Sequence, residues 1–125
     1  MADILVSDDQ NFIRMLLKKI LEHEGHNVIL SENGDKTLEL LKQNKPSIVI
    51  TDIFMPGEMN GEDVINELKS NYPEINVIAM SASENFPFKE AKPDIFMEKP
   101  FKGHELIHAV NSLLSENPAV SVGEV

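Results

Sequence analysis

Ser47-Ile48-Val49-Ile50-Thr51-Asp52-Ile53-Phe54-Met55-Pro56 is the stretch on which the fold turns. Its run of β-branched residues lacks polar alternation, the pattern of a strand buried on both faces, as in a parallel sheet covered by helices. The run ends on a carboxylate, and Pro56-Gly57 stops the chain from continuing as strand or helix. Asp52 is therefore delivered to the C-terminal end of a strand, and open α/β sheets bind ligands along that edge. An Asp that merely ends a strand and opens a turn has the same local signature. The rest of the chain decides between the two.

At 125 residues the chain has the size of one domain with its own core. Its 42% hydrophobic and 26% charged residues are those of an ordinary globular protein. The absence of Cys excludes disulfides, thiolate nucleophiles and Cys-bound zinc. No apolar stretch is long enough to span a bilayer and the N-terminus lacks a signal-peptide core, so a cytoplasmic location is expected. A net charge of −10 argues against direct nucleic-acid binding. No repeat or low-complexity segment is present.

Outward from the central stretch, short apolar runs alternate with helical periodicity. Ile4-Leu5-Val6 breaks at Ser7-Asp8-Asp9-Gln10. Phe12, Ile13, Leu16, Leu17, Ile20 and Leu21 then recur on a helical period, opposite Arg14, Lys18, Lys19 and Glu22. Gly25 ends that helix, and His23 and His26 around it read as solvated surface. Val28-Ile29-Leu30 is a strand, and a helix with Leu38 and Leu41 inward closes at Asn44-Lys45-Pro46. Beyond Asp52, a helix uses Val64, Ile65 and Leu68 until Tyr72-Pro73; Val77-Ile78-Ala79-Met80 is a strand ending at Ser81. Pro87 and Pro93 make any helix over 83–94 short or interrupted. Ile95-Phe96-Met97 is the last strand, and Leu106, Ile107, Val110, Leu113 and Leu114 mark the last helix. Residues 1–116 are expected to form the domain and 117–125 a flexible C-terminal tail.

This is the βα alternation of a doubly wound, five-stranded parallel sheet. The polar residues just past its strands share one edge: Asp8 and Asp9, Asp52, Ser81 and Lys99. The strand that ends at Ser31-Glu32 contributes least and belongs at a border of the sheet. Carboxylates brought this close repel, so either one takes a proton or a cation sits among them. A hard divalent ion with oxygen ligands, Mg²⁺, suits the set. Helix capping accounts for one of Asp8 and Asp9, but not for their convergence with Asp52. Lys99 supplies a point charge and Ser81 a hydroxyl for an oxyanion. Singly each is an ordinary surface or strand-end residue; together they read as a phosphoryl site with a carboxylate nucleophile.

Asp8-Asp9, Asp52 with Met55-Pro56 and Gly61, Ser81-Ala82 and Lys99-Pro100-Phe101 occur in an order that resembles the receiver domain of two-component response regulators. The resemblance covers residues 2–116. It implies a flavodoxin-like sheet of order 2-1-3-4-5, with Asp52 the phosphoacceptor and Mg²⁺ held by Asp8, Asp9, Asp52 and the Phe54 carbonyl. It further implies that Ser81 is the switch hydroxyl, Phe96 the switch aromatic and Lys99 the phosphoryl-binding lysine, often followed by a cis proline. The implied module is a phosphoacceptor switch rather than an enzyme, with slow autodephosphorylation. Its implied partners are a sensor histidine kinase or histidine phosphotransfer protein and a downstream protein target. The chain is expected to be a stand-alone receiver or one cut from a longer protein.

Departures from the family pattern sharpen these expectations. The loop Met55–Gly61 is one residue longer than usual, and the chain between Ser81 and Lys99 about one helical turn shorter. Phe54 and Ser83 stand where side chains flank a water approaching the phosphoacceptor, so an apolar Phe54 implies a long-lived phosphoryl group. Phosphatases built on similar sheets carry a second acid at the position of Phe54, which disfavours that activity here. An unphosphorylated docking module remains an alternative. So does a zinc hydrolase, because His104-Glu105-Leu106-Ile107-His108 spells H-E-x-x-H. The core side of that helix, however, points away from both His, and few residues follow to supply a third ligand.

Overall fold

The structure, a computed structural model, describes residues 2–82 and 86–115. Ser83 and the expected tail at 117–125 lie outside the described residues. The strands are β1 (Asp3–Ser7), β2 (Asn27–Ser31), β3 (Ile48–Asp52), β4 (Asn76–Ser81) and β5 (Ile95–Glu98). All neighbours pair in parallel, in the order β2-β1-β3-β4-β5. The helices among the described residues are α1 (Asn11–His23), α2 (Gly34–Gln43), α3 (Gly61–Asn71) and α4 (Gly103–Leu114). The flavodoxin-like arrangement expected from the sequence is the one observed.

β3 is buried at every position, as its unbroken apolar run requires, whereas the border strands β2 and β5 are only partly covered. One core joins Ile4, Val6, Ile48, Ile50, Ile78 and Met80 to Leu17 and Leu21 of α1 and Leu106, Val110 and Leu113 of α4. The other face packs Leu5, Val49, Val77 and Ala79 against Leu41 of α2 and Val64, Ile65 and Leu68 of α3. Each fully buried Ile, Leu or Val contributes about 1.5–3 kcal/mol relative to exposure.

Two expectations need correction. Phe12 and Leu16 do not face the core; they are 73% and 42% exposed. At 100° per residue, Ile13, Leu17, Ile20 and Leu21 cluster on the sheet side, which rotates Phe12 and Leu16 to the margin of the stripe. His26 is not solvated. It is buried, and its Nδ1 accepts the Ala2 backbone N–H at 3.0 Å. Gly25, at φ 91°, turns the chain out of α1 so that His26 folds back under the start of β1.

The β4–β5 connection contains no helix within 86–94. Instead it lies over α3, held by one stripe of that helix at i, i+4 and i+7. Glu62 Oε2 accepts the Lys89 N–H and Asn66 Oδ1 the Ala91 N–H, both at 3.1 Å, while Lys69 pairs with Asp94 at 2.7 Å. Asp94 also accepts the Val77 N–H at 2.7 Å, which ties the segment to β4.

Candidate functional site

Asp8 follows β1 directly and is fully buried. Its Oδ1 accepts the Gln10 N–H and its Oδ2 the Lys99 ammonium, each at 2.8 Å, while Arg14 Nη1 donates to its carbonyl at 2.6 Å. Gln10 is the N-cap of α1 and offers no side-chain cap of its own. The capping role weighed for this pair thus occupies one oxygen of Asp8 and leaves Asp9 exposed to solvent. Asp52 closes β3, buried but open at the carboxyl edge.

Asp8, Asp9 and Asp52 can each bring one carboxylate oxygen within 4.8 Å of the others, and they are the one such group of potential metal ligands among the described residues. Burial pushes the Asp52 carboxyl above its ordinary value, and the negative charges of Asp8 and Asp9 push the same way against the opposing pull of Lys99. An all-oxygen set of three carboxylates, one of them resisting ionisation, fits a hard divalent cation.

Lys99 follows β5, and its ammonium also lies 3.5 Å from Asp52 Oδ2. Its backbone N–H donates to the Ser81 carbonyl at 2.7 Å, which registers the ends of β4 and β5. The Lys99–Pro100 peptide is cis, as the resemblance implied. Ser81, fully buried, ends β4 one residue beyond Met80, the partner of Asp52 across the ladder.

Two glycines let the loops close on this edge. A Cβ at Gly61 would lie 2.1 Å from the Asp52 carbonyl oxygen and 2.6 Å from Ile53 Cα, so α3 can begin against the end of β3 only with Gly there. Gly57, at φ 104°, turns the lengthened loop. Asn60 then caps α3 in a reciprocal pair with Asp63.

Phe54 is 57% exposed, and its ring meets Phe86 edge-on at 5.6 Å. Phe86 meets Phe88 at 4.8 Å, and Phe88 meets Phe96 at 6.0 Å. Phe96 is partly buried against the α2–α3 core. The sequence reading named Phe54 and Phe96 but not the two rings between them.

It also missed a buried hydroxyl cluster beneath the site. Thr37 Oγ1 lies 2.6 Å from Ser7 Oγ and donates to Ser31 Oγ at 2.9 Å or to the Asn33 carbonyl at 2.8 Å. The available signal was that β1 and β2 both end in Ser, at paired positions.

His104, Glu105 and His108 lie away from this cluster on the exposed side of α4. Glu105 accepts the Lys102 N–H at 2.8 Å, so it caps the helix, and no third ligand joins the two His among the described residues. Among the described residues, the H-E-x-x-H spelling is therefore part of no metal-ligand group.

The family model for the response regulator receiver domain matches residues 4–111. The chain is 34% identical over 117 residues to the chemotaxis protein CheY of Bacillus subtilis, covering 90% of this chain and 97% of that one. It is 31% identical over 115 residues to the response regulator MprA of a Mycobacterium species, covering 89% of this chain and 50% of MprA. The chain thus spans about half the length of such longer relatives. Among solved structures, the response regulator TrrA of Thermotoga maritima in complex with Mg²⁺–BeF superposes with a TM-score of 0.83 at 32% identity, covering 90% of this chain and 99% of that one.

Proposed function

This chain belongs to the response regulator receiver domain family, whose members are phosphoacceptor modules of two-component signalling, and from that premise we propose that Asp52 is the residue phosphorylated. The observation that carries the reading is the meeting of Asp8, Asp9, Asp52 and Lys99 at one sheet edge. An Asp52 carboxylate oxygen attacks the phosphorus of a phosphohistidine. The P–N bond breaks, the imidazole leaves, and an acyl phosphate forms on Asp52. Asp8, Asp9, Asp52 and the Phe54 carbonyl would hold Mg²⁺, which would supply charge neutralisation. Lys99 grips a phosphoryl oxygen, Ser81 donates to another, and Phe96 repacks as Ser81 moves.

The donor is a sensor histidine kinase or histidine phosphotransfer protein, and the output a protein target, in the cytoplasm. Phe12, Met15 and Leu16, exposed on α1 close to this edge, offer apolar surface for a protein donor. Direct nucleic-acid contact is disfavoured by the charge of −10. No described helix is long and apolar enough to cross a membrane.

Acetyl phosphate with Mg²⁺ should add one phosphoryl group by intact mass, lost in Asp52→Asn and in EDTA. Labelling that survives Asp52→Asn overturns the assignment, and no labelling of the wild type favours the docking-module alternative.

A further inference from the structure

Four phenylalanine rings run from the residue two beyond Asp52 to the middle of β5: Phe54, Phe86, Phe88 and Phe96. Consecutive rings meet edge to face at interplanar angles of 75°, 60° and 79°, the arrangement favoured by the aromatic quadrupole. Phe86 and Phe88 belong to the connection that α3 holds through Glu62, Asn66 and Lys69. Both are partly buried against the α2–α3 core, with the exposed Pro87 between them. Phe54, by contrast, is 57% exposed, and Phe86 is its one ring partner among the described residues. Without that partner its ring would sample several rotamers.

Ile53 between Asp52 and Phe54 is buried in the core, so the two flanking residues are fixed within about 7 Å of each other at the Cα atoms. The Phe54 side chain therefore starts from backbone next to Asp52. At the far end, Phe96 packs on Phe88 and Phe88 on Phe86, so the row of ring contacts is continuous from Phe54 to Phe96.

We propose that Phe86 and Phe88 are positioning residues for the chemistry at Asp52: they hold the Phe54 ring beside the carboxylate and tie its placement to that of Phe96. The inference rests on the phosphoacceptor reading for its consequence, but the coupling itself does not. When Phe96 moves, the cover over Asp52 moves with it, and phosphoryl lifetime follows the state of the switch.

The coupling is measured first without phosphoryl chemistry. In protein with isotope-labelled Phe rings, Phe54→Leu should shift the Phe96 resonances, and the shift should fall by at least half in a Phe88→Leu background. Leu keeps most of the apolar contact, and Phe88→Met repeats the measurement in a second background. Phe96 resonances indifferent to Phe54→Leu, or equally responsive in all backgrounds, overturn the coupling whatever Asp52 does. The second measurement is decay of the phosphorylated protein by intact mass. Phe86→Leu and Phe88→Leu should each take up one phosphoryl group and lose it about three- to tenfold faster, with Phe88→Tyr restoring the slow rate. Normal uptake with unchanged decay overturns the positioning role and leaves the phosphoacceptor reading standing. Failure of the wild type to take up phosphoryl overturns that reading, while the resonance measurement still decides the coupling.

Discussion

Lys99 sits closer to Asp8 than to Asp52: its ammonium is 2.8 Å from Asp8 Oδ2 and 3.5 Å from Asp52 Oδ2. In this state the lysine compensates a fully buried carboxylate and only secondarily the residue read as the phosphoacceptor. Lys99→Ala leaves Asp8 with the Gln10 N–H on its other oxygen. The variant should lose about 3 kcal/mol of stability in EDTA, the cost of breaking a largely buried pair, and Mg²⁺ should recover much of it. Urea denaturation with and without Mg²⁺ measures both. Equal losses in the two conditions would show that a cation cannot replace the ammonium.

Asp52→Asn should stabilise the metal-free fold at neutral pH. Burial raises the Asp52 pKa in the folded protein above its unfolded value. The raised value favours the protonated form, so its stabilising effect is present below the unfolded pKa and is lost as pH rises through the folded one. The advantage of Asn over Asp should therefore shrink as pH falls through the raised folded value and be gone below the ordinary carboxylate range. Mg²⁺ at a hundred times its Kd should add about 2.7 kcal/mol to the wild type and much less to the variant. Melting curves across pH check the sign.

Gly61→Ala should cost about 3 kcal/mol, because its methyl group would overlap the Asp52 carbonyl oxygen and force α3 away from β3. The displacement falls on the backbone that carries Asp52, so Mg²⁺ affinity should drop together with stability. Gly25→Ala, where a Cβ meets nothing within 4 Å, separates the two effects. Its cost is the φ of 91° alone, and Mg²⁺ affinity should be unchanged.

His26 accepts the Ala2 N–H through Nδ1, which requires the neutral ring. Burial lowers its pKa, so this contribution is present above the unfolded His pKa and is lost as pH falls through the folded value. His26→Phe should cost about 1 kcal/mol at pH 8 for the lost acceptor. Wild type and variant should converge in stability on acidification. NMR titration of the ring follows the same event directly.

The sheet was legible because its central strands are short apolar runs, rich in β-branched residues and bounded by polar or turn residues, which favours a strand over a buried helix segment. The site edge was legible for the same reason: once five strands run parallel, their last residues must share one end. Phe12 and Leu16 misled because six apolar residues make a stripe wider than one sheet can cover, and periodicity does not reveal where burial stops. His26 was misread because its partner, the Ala2 N–H, is 24 residues away in the sequence and leaves no local signature. The Phe86 and Phe88 contacts were equally invisible, being tertiary meetings in a segment without period.

The grip of α3 on the β4–β5 connection bears on how that segment comes loose. Amide protons in a helix are protected collectively, since each turn supports the next. The Lys89 and Ala91 amides are instead bonded to separate side chains, Glu62 and Asn66, each free to change rotamer by itself. Their hydrogen exchange should be uncoupled, with different opening free energies that both lie well below that of global unfolding. Glu62→Gln should speed exchange at Lys89 while leaving Ala91 unchanged. The connection would then detach one anchor at a time over an intact sheet, which makes its tempo adjustable residue by residue.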